Sequence, residues 1–138
     1  MPSHVERLAD APIILVTLTG SVDADTIKQA DLMVIRLLGE QPMNTALIFD
    51  TTQATTNFKQ IMEILQTTRN RNERNTAKMP FVVLPAFVGT DAMIKLYVDA
   101  ARLKQFGGRP LPLFTSREDA ITTMSLALTR LDEKPVSE

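Results

Sequence analysis

The residues able to do chemistry gather at two places in the chain. Asp50-Thr51-Thr52 with Thr55-Thr56 sets one carboxylate and several hydroxyls between an apolar run and the start of a helix. At the carboxyl end of a parallel strand, such a group lies where α/β sheets usually bind ligands. A helix N-terminus there offers free N–H groups to an anion. Phosphorylation of a threonine at that point would add strong negative charge and remodel a docking face. The plainer reading is that Asp50 and the threonines only cap and turn the chain. Gly89-Thr90-Asp91 is the second place, a glycine and a hydroxyl at a helix start that could form the other wall of the same crevice. It lacks the lysine and glycine spacing of a phosphate-binding loop, so nucleotide hydrolysis has no support. Asp50, Thr51, Thr52, Thr55, Thr56, Gly89 and Thr90 are therefore the candidate ligand- or partner-binding residues.

The remaining polar groups point to little chemistry. There is no cysteine, which removes disulfides, thiolate nucleophiles and cysteine-held metals. The one histidine, His4, sits near the N-terminus, where residues are usually solvated. A Ser-His-Asp triad would have to recruit His4 from the terminus, which argues against one, and a multi-histidine metal site is excluded. Arg69, Arg71, Arg74 and Lys78 form a basic stretch interrupted by Glu73 and free of aromatics. It reads as a solvated helix end, as do Arg102, Lys104 and Arg109 near Gly107-Gly108. Asp23, Asp25, Asp91, Glu118 and Asp119 all fall at expected helix starts, where the helix dipole accounts for them. An enzyme would have to combine Lys95 or Tyr97 with a carboxylate. No catalytic residue, metal or cofactor is expected.

The chain that must position these groups has 138 residues, about the size of one domain. Hydrophobic residues make up 44% and charged residues 22%, which excludes disorder throughout. A net charge of -1 gives no general attraction for nucleic acid or an anionic membrane. The N-terminal residues lack the build of a signal peptide. No apolar run approaches the ~18–20 residues that cross a bilayer. A single domain over 1–138 is expected, with an ordered core over about 4–131, a loose tail from Asp132, and a cytoplasmic location.

Strands and helices alternate. Residues 12–19 are rich in β-branched side chains and close at Gly20-Ser21, which predicts a strand; His4–Leu8 is a candidate partner strand. Asp23 caps a helix with Ile27, Ala30, Val34 and Leu37 on one stripe and Gly39 as its stop. Thr45–Phe49 is a strand ending at Asp50-Thr51-Thr52. Asn57 caps a helix with Phe58, Ile61, Met62 and Leu65 inward. Phe81–Leu84 is a strand bracketed by Pro80 and Pro85. Thr90-Asp91 opens a helix with Met93, Leu96, Tyr97 and Ala100 inward, stopping at Gly107-Gly108. Leu111–Phe114 is a strand that Pro112 places at an edge. Thr115 and Glu118 have capping-box spacing before a helix with Ala120, Ile121, Met124, Ala127, Leu128 and Leu131 inward. This alternation predicts an α/β fold: a four- to five-stranded, mostly parallel sheet with about four helices covering both faces.

The string Ala46-Leu-Ile-Phe-Asp50-Thr-Thr, followed by a helix from about Asn57, resembles the core of the STAS family, the anti-sigma-factor-antagonist fold. The ending Leu113-Phe-Thr-Ser-Arg-Glu-Asp-Ala120-Ile resembles its last strand and helix. Gly89 to Gly108 is closer to the divergent SpoIIAA-like branch. The likeness covers roughly residues 12–131. It implies a small layered α/β domain that binds a partner protein or a small ligand and does no catalysis. In the standard branch an Asp-Ser-Ser-Gly-type segment carries a phosphorylatable serine. Here Asp50 matches, the serine and glycine do not, and Thr55 and Thr56 are the positions left for that role.

Two readings of function follow: a regulatory or protein-interaction module, or a carrier or sensor of a lipid or an anionic metabolite. The first helix bears on the partner. Met33, Ile35 and Leu38 exceed one core-facing stripe, which favours a homodimer through residues 24–38 or burial beneath the N-terminal segment.

Overall fold

The computed structural model describes residues 3–9, 11–75, 81–103 and 111–133. Along them run β1 (Ser3–Arg7), β2 (Ile13–Ser21), α1 (Ala24–Glu40), β3 (Thr45–Thr55), α2 (Phe58–Asn75), β4 (Val83–Val88), α3 (Ala92–Ala101), β5 (Leu113–Phe114) and α4 (Arg117–Glu133). The strands form one sheet in the order β1-β2-β3-β4-β5. β1 pairs antiparallel with β2, and every later pair is parallel. The α/β class, the mostly parallel sheet and the outer position of the last strand among the described residues are as the sequence predicts, but β5 is only Leu113–Phe114, so Pro112 precedes the strand instead of lying within it.

Because the strands add in one direction, crossovers of a single hand must all fall on one side of the sheet. They do: Ile14, Val16, Leu18 and Leu47 pack with α1, α2 and α3. Ile13, Leu15, Ala46 and Ile48 turn to the other face and pack with Ala120, Met124 and Leu128 of α4. Both faces are covered, so these strands have no polar alternation. Ile13, Ile14 and Ile48 are fully buried, each contributing about 2 kcal/mol through removal from water.

Several elements differ from their sequence reading for identifiable reasons. β2 continues through Gly20, where φ is +71°, a value that favours glycine. Its extension lets β3 run past Asp50 to Thr55 instead of turning there, with Thr19, Gly20 and Ser21 paired to Gln53, Ala54 and Thr55. α1 runs through Gly39 to Glu40, and its end is closed by the Gln41 N–H and the Arg7 guanidinium, both donating to the Leu37 carbonyl. Its buried stripe is Thr26, Ala30, Val34 and Leu38, with Ile27 and Leu37 at the margin. Leu38 thus belongs to the core, whereas Leu32 and Met33 are exposed.

Pro85 lies inside β4, not beyond it. The Phe87 and Gly89 N–H groups donate toward the β5 side, to Pro112 and Phe114 carbonyls. By the same alternation the Pro85 nitrogen faces that side before β5 begins, so it interrupts no ladder bond among the described residues. On α2, Phe58 is exposed, and Ile61, Ile64 and Leu65 fill the core. α3 buries Ile94, Tyr97, Val98 and Ala101 and ends at Ala101. At α4 the cap is Ser116, whose hydroxyl accepts from the Asp119 N–H at 3.1 Å, one residue later than the Thr115–Glu118 frame. Lys78, Lys104, Gly107, Gly108, Arg109 and the tail beyond Glu133 lie outside the described residues, as do the side chains of Arg69, Arg71 and Arg74.

Candidate functional site

The upper half of β3 is built around a bulge. Thr17 pairs with Asp50 and Thr19 with Gln53, so Thr51 and Thr52 together oppose Leu18 alone. One extra residue reverses the alternation of side chains. Below the bulge Leu47 and Phe49 face α1–α3; above it Ala54 does. Asp50, on the same side as Ile48, faces α4, and the bulge sends the two threonines after it in different directions.

Asp50 is 4% exposed and fully engaged. Its Oδ1 accepts from the Thr52 N–H at 3.0 Å and the Thr52 hydroxyl at 2.7 Å. Its Oδ2 accepts from Arg117 Nε at 2.9 Å and Nη2 at 2.7 Å. Nη2 also reaches Thr17 Oγ1 at 3.5 Å. Burial pushes the Asp50 carboxyl upward, but the Thr52 hydrogen bonds and the Arg117 charge outweigh it and hold the carboxyl below its ordinary value. An ionised carboxylate with every partner supplied internally is a structural lock. It has no free lone pair for proton transfer or a metal.

Thr51 is buried and donates to the Val88 carbonyl at 2.7 Å. Gly89 sits against it: a Cβ there would run into the Thr51 hydroxyl. The sheet therefore brings Thr51 and Gly89 together, but as an interior contact. Thr52 and Thr55 are exposed on the rim, and so is Thr90. Thr56 is half-buried; its hydroxyl donates to the Val22 carbonyl at 3.1 Å and lies 3.2 Å from Gln60 Oε1. Asn57 caps α2 by accepting from the Gln60 N–H at 2.9 Å, and Asp91 caps α3 by accepting from the Met93 N–H at 2.7 Å. Phe58 follows that cap at 60% exposure.

Sequence reasoning missed Arg117, placed only inside a capping pattern, and Phe58, assigned to the core. Arg117 carried one usable signal. A cation in the first turn of a helix opposes the dipole and calls for a compensating anion. Of the two residues that could have joined a carboxylate, Lys95 is exposed and Tyr97 lies in the core with its ring 5.2 Å from that of Phe87. Among the described residues no three acidic or histidine side chains gather as a metal site, and no helix is long and apolar enough to cross a membrane. The strand order never reverses, so the sheet has no switch point of the kind that opens a ligand crevice.

No family model matches the chain, and no curated protein matches its sequence. Solved structures do. An anti-sigma factor antagonist from Mycobacterium paratuberculosis superposes with a TM-score of 0.54 at 16% identity, over 88% of this chain and 91% of its own. An uncharacterized DUF3478-family protein with a SpoIIAA-like fold, from Shewanella loihica PV-4, gives 0.55 at 13% identity over 88% and 90%. The anti-sigma factor antagonist SpoIIAA in its unphosphorylated form gives 0.56 at 11% identity over 88% and 96%. The chain has the SpoIIAA-like fold that its strand-turn-helix strings resemble.

Proposed function

We propose, taking the shared fold as premise, that this chain is a non-catalytic regulatory module that docks a partner protein, in the cytoplasm, through the rim where β3 leads into α2. The observation that carries this reading is the division of labour along residues 50–58. Asp50 and Thr51 are consumed inside the fold and the Thr52 hydroxyl is tied to Asp50, whereas Thr55 and Phe58 are exposed where β3 ends and α2 begins. An exposed aromatic ring close in sequence to an exposed threonine is the composition of a small protein-docking patch. Gly89 packs against Thr51 in the interior, Thr56 lies between Thr55 and the α2 cap, and Thr90 is exposed after β4. Two of the similar structures are anti-sigma factor antagonists, which supports a protein as the partner. Of Thr55 and Thr56, Thr55 is the more accessible for phosphorylation, since the Thr56 hydroxyl is engaged with Val22.

The test is cross-linking capture from the native cell with the wild-type chain, Phe58→Ala and Thr55→Glu. A partner held by the wild type and lost by both variants supports the rim. A partner indifferent to both places docking elsewhere.

A further inference from the structure

We propose that the free edge of β1 is a self-recognition surface, on which a second copy of this chain pairs antiparallel about a two-fold axis through Val5 to make one continuous sheet. β1 is the outer strand of the sheet among the described residues. Its hydrogen-bonding direction follows from its partner. The Leu8 N–H donates to the Ile13 carbonyl, and the register continues as Arg7 with Ile14, Glu6 with Leu15 and Val5 with Val16. In an antiparallel pair, bonded and non-bonded positions alternate. The even residues thus bond to β2, and Ser3, Val5 and Arg7 turn their N–H and C=O groups outward.

That edge is self-complementary in one register. With Val5 opposite the partner's Val5, Ser3 faces the partner's Arg7, and each outward-bonding pair exchanges two main-chain hydrogen bonds. His4 then stands opposite the partner's Glu6, at a non-bonded position, where opposing side chains approach most closely. Both side chains are available, at 69% and 45% exposure, and their chemistry suits one another: within one strand His4 Nε2 already lies 2.8 Å from Glu6 Oε2. A shift by two residues either way puts His4 opposite the partner's His4 or Glu6 opposite the partner's Glu6. The like pairs reject the neighbouring registers, so pairing is specified instead of promiscuous.

The two-fold keeps both α1 helices on one face of the joined sheet. Because α1 packs over β1, residues 24–38 with exposed Leu32 and Met33 flank the junction.

The experiment is sedimentation velocity on the full chain from micromolar to millimolar concentration, with His4→Glu, with Glu6→Lys, and with the two variants mixed. The wild type should dimerise, and its Val5 amide should become protected from hydrogen exchange as dimer forms. His4→Glu sets two carboxylates opposite each other and Glu6→Lys takes away the acceptor that faces His4, so each variant alone should weaken the dimer about tenfold. The mixture restores opposite charges only between chains, so its heterodimer should be tighter than either homodimer. A wild type monomeric throughout overturns the proposal. So does a mixture no tighter than its components, or a dimer lost on Leu32→Lys yet untouched by both edge variants.

Discussion

Arg117, the first residue of α4, donates two hydrogen bonds to one oxygen of Asp50, at 2.9 and 2.7 Å, across 67 positions of sequence. The contact pins the start of the last helix to the strand at the centre of the sheet. It also explains how a cation is tolerated at a helix N-terminus.

Removing either partner should destabilise the fold. Arg117→Met leaves the Asp50 carboxylate buried with only Thr52 to satisfy it. Arg117 is itself 45% exposed, so solvent screens part of the interaction. The expected cost is about 1–3 kcal/mol in urea denaturation. Asp50→Asn should cost a similar amount, and the double variant should cost less than the two together, because the residues share one contact.

The same carboxylate sets an acid limit. Asp50 titrates below its ordinary value of 3.8 in the fold, so the unfolded chain takes up its proton first as pH falls. Its stabilisation is complete above the unfolded value and disappears as pH drops through the lower folded one. Denaturation midpoints followed from pH 6 into acid should therefore fall below about pH 4. Asp50→Asn should flatten that limb.

Gly89 and Thr51 occupy one space. Gly89→Ala drives a methyl group into the Thr51 hydroxyl and should cost about 1–3 kcal/mol. Thr51→Ala removes the bond to Val88 and should cost about 1 kcal/mol. Combined, the two should be less destabilising than their sum in thermal or urea unfolding, since the second makes room for the first.

Phe58 and Thr55 should behave in the opposite sense. Phe58→Ala and Thr55→Glu touch exposed side chains and should leave stability within about 0.5 kcal/mol. Partner capture should fall sharply with both. Capture that persists with normal folding would remove the rim as the docking face.

The sequence by itself determined the element types, their order and the mostly parallel sheet, because the lower halves of β2 and β3 are buried on both faces and each helix carries its own cap. Asp23, Asn57 and Asp91 cap the helices they precede, since a cap needs only residues two or three positions away. The packing faces of α1 and α3 and the ends of β3 and β4 depended on neighbours. Only the extension of β2 carries β3 past Asp50, and only the shortness of β5 admits Pro85 within a strand. Asp50 stood out in the sequence, but its role was decided by a side chain 67 positions later and by a bulge that exists only between paired strands. Local hydrogen bonds are written in adjacent residues. Which surface a carboxylate meets is decided when the sheet closes.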